Sequence, residues 1–389
     1  MKNTFISIIF ACLSLLFCLS IVKFPVLAQS STEEITLAIG EEYASTGYQE
    51  ETLEGKIVSL TGQRRITTSN QTKEQLYQQL EIQITKGSQK GKVINLESGD
   101  IYQGSNTLYK VGDEIVISYA VDSAGSETYF ISDYVRRTPL LVLFLIFVLI
   151  TVIIGKWKGL SSILGMGVSF VVIIKFILPS IYQGSDPVTV AILGSLAIIP
   201  VTFFLSHGVN RKTFVAVLGT LISLIATGIL ATIFVEATKL TGFASEEAGF
   251  LNVFKEGTIN IKGLLLAGMI IGVLGVLDDI TISQSAIVQE LKLANPQLKS
   301  KELYSKAMSV GKDHIASMVN TLILVYTGAA LPLLLLFVDN PKPFTELINY
   351  EIIADEIVRT LVGSIGLVMA VPITTFIASY SISNYSKKI

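Results

Sequence analysis

From about residue 138 onward the chain is a succession of apolar runs, each roughly 17–23 residues long, joined by short polar links. A run of that length wound as a helix crosses a hydrocarbon core of ~30 Å. Lipid offers no partner for backbone N–H and C=O groups, so each run must satisfy them within itself. The pattern predicts an α-helical integral membrane protein with about seven transmembrane helices. They fall near 139–155, 160–178, 187–206, 213–235, 261–283, 316–338 and 360–381, within a multipass domain over 138–389. Only 15% of residues are charged, against roughly a quarter in soluble domains. The formal net charge of −2 gives no reason to expect nucleic acid as a partner.

Ahead of the spans lie two further parts. Residues 1–28 read as a signal segment, with Lys2, an apolar stretch from Ile6 to Val22, and Val26-Leu27-Ala28 as the cleavage site. An uncleaved anchor helix is the alternative. Both cysteines, Cys12 and Cys18, lie in this segment, so cleavage would leave no thiol for disulfide or metal chemistry. Residues 29–137 are polar and β-rich. Leu80-Glu-Ile82-Gln-Ile84 and Ile115-Val-Ile117-Ser-Tyr119-Ala-Val121 alternate cleanly, and further strands are expected near 53–60, 92–96 and 127–132. Short strands in this number suggest a small exported β-barrel, OB-like in one version.

Lysine placement sets the orientation. With the β domain outside, the inner links hold Lys156 and Lys158, then Arg211 and Lys212, then Lys292, Lys299, Lys301, Lys306 and Lys312, and the tail holds Lys387 and Lys388. The outer link at 179–186 has no basic residue. In the third inner link, Leu303, Ala307 and Val310, with Tyr304 and Met308, form an apolar stripe, expected as a short amphipathic helix capped by Ser300.

The fifth span carries the chemistry. It reads Gly268-Met-Ile-Ile-Gly272-Val-Leu-Gly275-Val-Leu-Asp278-Asp279-Ile-Thr281-Ile-Ser283-Gln284. A charge inside a bilayer costs at least ~2.5–3.5 kcal/mol, which makes intramembrane carboxylates functional candidates. Gly268, Gly272, Gly275, Asp279, Ser283 and Ala286 share one helix face, expected to pack closely on a partner helix. Two adjacent carboxylates in low dielectric cannot both ionise cheaply, so the pair can hold and release a proton, or a sodium ion if Thr281 and Ser283 complete its shell. The alternative is a hydrated pair that ends the helix at the interface. Asn320 and Thr321 open the sixth span at the same expected depth, as polar partners of the pair or as helix–helix glue. His207 and His314, the two histidines, fall at inner helix ends as candidates for proton access; a metal site from them is disfavoured by their spacing. No phosphate-binding loop, nucleophile elbow or zinc-protease motif occurs, so an enzyme is not expected, and neither is a cofactor.

The run Gly275-Val-Leu-Asp278-Asp279-Ile-Thr281-Ile-Ser283-Gln284-Ser285-Ala286, followed by Val310-Gly-Lys-Asp-His314, Asn320-Thr-Leu322 and Ala329-Ala-Leu-Pro332, resembles the YibE/F-like family of bacterial multipass membrane proteins. The likeness implies a plasma-membrane protein of this topology and supplies no substrate. More loosely, a glycine-rich helix with an aspartate, followed by a helix opening on Asn-Thr, is similar to transporters related to SecD/SecF, which use intramembrane aspartates as proton relays. The expected partners are the lipid bilayer, H+ or Na+, and a second copy or a second membrane subunit. The functions expected are a proton- or cation-coupled transporter or export-motor subunit, or alternatively a non-transporting scaffold or sensor.

Overall fold

The computed structural model describes residues 49–67, 74–99, 108–122, 125–338 and 342–385. The expected signal segment lies outside them. The chain divides into two compact units, one over 25–149 and the other holding 150–389.

The first unit contains an antiparallel sheet in the order β3-β2-β1-β4-β5, with β1 at Gln49–Thr67, β2 at Glu74–Lys86, β3 at Val93–Ser98, β4 at Glu114–Val121 and β5 at Glu127–Tyr134. All five expected strands are present. Their alternation decides what is buried: Leu53, Ile57, Leu80, Ile82, Ile84, Ile115 and Ile117 face inward. β1 is long because it serves two partners, pairing through its first part with β4 and through its remainder with β2. Register shifts at Glu54/Gly55, Ile57/Ser59 and Leu60/Gly62 bend it between them, so the sheet curls into a half-barrel. Gly55 sits at the first bend, where a Cβ would press on Ile82 and Ile117.

Two side-chain devices hold this unit. The buried amide of Gln78 donates to the Tyr109 carbonyl (3.0 Å) and accepts from the Tyr109 N–H (2.9 Å), acting as a strand partner where the sheet has none. The outer strands β3 and β5 do not pair with each other. Instead Lys92, next to β3, bonds to Glu127 and to the Tyr129 hydroxyl (2.9 Å) on β5, and the Tyr119 hydroxyl donates to Glu127 at 3.1 Å.

From Arg137 onward the described chain is helical, α1 beginning in the first unit and the other helices lying in the second. The helices are α1 (Arg137–Val172), α2 (Leu178–Tyr182), α3 (Pro187–His207), α4 (Arg211–Ala237), α5 (Glu246–Phe254), α6 (Ile261–Ala294), α7 (Ser300–Ala329), α8 (Leu331–Leu335), α9 (Phe344–Leu347) and α10 (Glu351–Tyr385). A π turn at Ile173–Ile177 joins α1 to α2. Asp186, Asn210, Ser245 and Asn260 cap α3, α4, α5 and α6, each accepting from a backbone N–H three residues on. The core of this unit includes Ile199, Phe203, Leu277, Ile280, Leu367 and Val371.

Among the described residues five helices are long and apolar enough to cross a membrane: Arg137–Tyr182, α3, α4, α6 and the first 32 residues of α10. The first is 46 residues, ~69 Å as a straight helix and about twice a hydrocarbon core. It is not straight. Lys156 takes a left-handed φ of 49°, and a Cβ on Gly159 would collide with the Thr151 carbonyl, which a straight helix would hold ~12 Å away. The expected spans 139–155 and 160–178 fall on either side of this bend. The expected sixth span is not among the five. The amphipathic segment and the start of that span are one helix, α7, whose first half carries Lys301, Lys306 and Lys312. Leu303 and Ala307 are buried as expected, but Gly311 replaces Val310 as the third buried position.

Two outcomes are expected for the β unit. In the full-length protein Gln78→Leu should strand both backbone groups of Tyr109 and destabilise the sheet by ~2–4 kcal/mol, read as faster amide exchange in β2. Glu127 and Glu54 are both held below the usual carboxylate range, first by the hydrogen bonds with Lys92 and with Arg137 respectively. Depressed carboxylates stabilise above their unfolded value of ~4.3, and that contribution is lost as pH falls through the folded value. Measured relative to intrinsic exchange, protection of the amides at β3, at β5 and around Glu54 on β1 should therefore fall as pH drops below ~4.3.

Candidate functional site

α6 packs against α3, α4, α7 and α10, and its sequence decides which face meets them. Ile270, Val273, Leu274, Leu277, Ile280, Thr281, Gln284, Ser285 and Val288 are buried. Gly268, Gly272, Gly275 and Asp279 form the opposite, exposed strip, and a Cβ added at any of the three glycines meets nothing within 4 Å. The glycine face expected to take a partner helix is thus open within this chain. The bulky residues give the larger packing contact with the neighbouring helices, and that face turns inward.

Asp278 stands at the edge of the buried face. It is half-buried, and its Oδ1 is fully enclosed with no hydrogen-bond partner. Its carbonyl accepts from Thr281 Oγ1 at 3.2 Å, and that hydroxyl lies 2.7 Å from Thr220 Oγ1 on α4. Asp279 is exposed and Ser283 half-buried. Asn320 and Thr321 are exposed on α7, where Thr321 Oγ1 donates to the Ser317 carbonyl at 3.0 Å. Among the described residues no hydrogen bond joins either to the aspartates. α7 meets α6 through Gly311, against Gln284, on a different side from Asp278. His207 is exposed at the end of α3, its ring 6.3 Å from that of Phe203, and His314 is half-buried on α7. No group of three or more His, Cys, Asp or Glu fit to hold a metal occurs among the described residues.

The larger polar feature is a seam where α4, α6 and α10 meet. α4 contributes Thr213, Thr220, Ser223 and Thr227, all within 2% of complete burial and on one helix face by their spacing of seven, three and four. α6 contributes Thr281, Gln284 and Ser285, and α10 contributes Thr374, Thr375 and Ser379. Some of these are partnered. Ser285 Oγ donates to the Lys212 carbonyl at 2.8 Å, and Thr227 Oγ1 to the Ser223 carbonyl at 2.7 Å. Thr375 Oγ1 lies 2.7 Å from the Val371 carbonyl and 3.0 Å from Gln284 Oε1. One hydroxyl proton serves one of them. With the Gln284 amide turned over, its NH2 donates to Thr375, Thr375 donates to Val371, and the amide oxygen is left as a free acceptor. Five seam groups have no hydrogen-bond partner: Thr213, Ser223, the outer amide atom of Gln284, Thr374 and Ser379. Each buried group left unsatisfied costs ~1–3 kcal/mol, so the seam is expensive as it stands.

Glycines let the helices close on this seam. A Cβ on Gly219 would run into Thr374, and one on Gly366 would run into Thr227. The two contacts are reciprocal, because glycine and threonine are eight residues apart on both helices (219 and 227, 366 and 374). Neither the α10 threonines nor those of α4 are among the residues that the sequence by itself singles out. The signal was there, in hydroxyls recurring at helical spacing inside an apolar span.

A family model described as YibE/F-like protein matches residues 143–384. The chain belongs to the YibE/F-like family. The YibE/F-like region begins within α1 and ends in α10, so it includes Asp278, Asp279 and the whole seam and leaves out the sheet. No curated protein and no solved structure is similar enough to the chain to count as a match.

Gly366→Ala should destabilise this YibE/F-like protein by ~1–3 kcal/mol through overpacking, with part of the loss restored by Thr227→Ala in a double-mutant cycle. Gly268→Ala, Gly272→Ala and Gly275→Ala should each change stability by less than ~0.5 kcal/mol. Thermal unfolding in a common detergent distinguishes the two groups.

Proposed function

We propose that this YibE/F-like chain is a proton- or cation-coupled transporter, or the motor subunit of an export system, with Asp278 as the ion carrier and Asp279 beside it. One observation carries the reading: Asp278 presents an enclosed, unpartnered carboxylate oxygen from a helix long and apolar enough to cross a membrane, where such a group is costly unless it works. Thr281 links it to the buried hydroxyls of α4. Asn320 and Thr321 have no contact that supports a part in the pocket. In this reading the protein lies in the plasma membrane and crosses it about seven times, the bend at Lys156 dividing the first long segment into two crossings and α7 supplying another. Lys156, Lys158, Arg211 and Lys212 then lie on the inner side. The β unit, exported after a signal segment, has the strand order of an OB-like barrel opened between β3 and β5, and offers an outer surface for a substrate or envelope partner.

In liposomes under an imposed ion gradient, Asp278→Asn should lower proton or sodium flux at least about tenfold, a barrier change of ~1.4 kcal/mol, while elution and melting remain those of the native protein. The second reading, a scaffold or sensor, is favoured by the open glycine strip, which admits a neighbouring helix at close range. There Asp278→Asn would be silent, and Gly268→Leu with Gly272→Leu would break assembly.

A further inference from the structure

The first two turns of α10 carry three acidic residues, and they are not equally served. Glu351 accepts from the N–H groups of Thr241 and Gly242 at 2.6 and 3.0 Å. Asp355 accepts from Arg359 Nη2 at 2.9 Å. Glu356 has nothing comparable. Among the described residues its carboxylate accepts no hydrogen bond, and its one ion-pair contact is Arg359 Nε at 3.8 Å. That arginine is already committed. Asp355 is the deeper of the two carboxylates, its side chain 12% exposed against 36% for Glu356, and lower dielectric strengthens the shorter pair. Two carboxylates share one guanidinium, so a negative charge is left over, and it resides on Glu356.

Glu356 lines a cavity of about 250 Å³ between the start of α10, the end of α7 and α8. The wall is mostly apolar, with Ile323, Leu334, Ile353 and Leu361 in it, and Tyr326 adds an aromatic ring. A cavity of ~150 Å³ takes benzene, so this one suits a ligand of about ten non-hydrogen atoms. An inorganic cation would give up its hydration to hydrocarbon here and gain a single carboxylate in return. An organic cation brings apolar surface for the wall and a charge for Glu356. As a quaternary ammonium it is also attracted to aromatic rings, and Tyr326 supplies one.

The cavity is remote from Asp278. α10 runs parallel to α6, with Gly363 beside Val273 and Thr375 beside Gln284. Glu356 therefore lies roughly 18 Å along the bundle from Asp278, toward the opposite end. It is five residues into α10, ~8 Å from the start of that helix, so a ligand reaches it from the end of the bundle without crossing the core.

We propose that this cavity is a binding site for a small amphipathic organic cation of the arylalkylammonium class, with Glu356 as its counter-ion and Tyr326 and the aliphatic wall around its apolar body. The site does not rest on the carrier reading of Asp278.

The test uses full-length protein in nanodiscs of phosphatidylcholine, with empty nanodiscs as the blank for partition into lipid. The probe is radiolabelled benzyltrimethylammonium, and its uncharged competitor is neopentylbenzene, the same shape with carbon in place of nitrogen. Binding should saturate with a Kd of about 1 mM or tighter, and Glu356→Gln should weaken it at least about tenfold. Neopentylbenzene should displace the probe at least about tenfold less well than unlabelled benzyltrimethylammonium does. Ala330→Leu, which narrows the cavity and leaves the carboxylate in place, should weaken the probe too. Binding that never saturates, or that is unchanged in Glu356→Gln, would overturn the site. Equal displacement by the uncharged competitor would reduce it to a hydrocarbon pocket filled by lipid, which also overturns the proposal. Where a variant fails to fold, nuclear Overhauser contacts from the probe's N-methyl protons to the methyl groups of Ile323, Ile353 and Leu361 in the unsubstituted protein decide the matter, and their absence is equally fatal.

Discussion

Hydrocarbon supplies no hydrogen bonds, and that constraint organises the helical unit. Polar side chains on a span must find partners inside the protein or keep company with water. The Thr220–Thr281 hydroxyl contact is where the chain meets the constraint directly, for it joins α4 to α6 at the level of the aspartates. Around it the same three helices bury more polar groups than they satisfy. Polar atoms in the open strip of α6 have the opposite situation, with Asp279 exposed among glycines. One helix thus displays a saturated apolar face, a half-satisfied polar edge and a bare strip, and each follows from which residues sit at which angle.

The β unit meets a different problem, the unpaired edge. Its outer strands stay apart, and Lys92 reaches across to Glu127 and Tyr129 where backbone pairing would close a full barrel. An ion pair at an exposed position stabilises little on its own. Here it is backed by two tyrosine hydroxyls, which fix its geometry and share its charge.

Much of this was legible in the residues. Alternation located the strands because one face of the sheet is buried and the other is wet. Run length located the five helices that are long and apolar enough to cross a membrane among the described residues, the first taking in two expected spans, but the expected sixth span is not one of them. Orientation about a helix axis was harder. The glycine repeat of α6 is conspicuous in sequence, yet the wider set of isoleucines and leucines opposite it determined what faces inward. An expected depth along a span says nothing of side: Asn320 is exposed on α7 and, among the described residues, makes no hydrogen bond to the aspartates. The α4 hydroxyls escaped notice because a lone threonine in a span is ordinary, and only their placement against α10 makes them a set.

The reciprocal glycine and threonine contacts between α4 and α10 bear on movement. A smooth antiparallel helix pair can slide by a turn and repack with little loss, because ridges recur every three or four residues. Two pegs in two sockets, one of each on either helix, forbid that. A slide of one turn would lift both threonines from their recesses at once and drive them against full-sized side chains. The pair can tilt about the line through its two fastenings, but it cannot creep. For α4 and α10, then, sliding is the costly displacement and rotation about the two fastenings the cheap one.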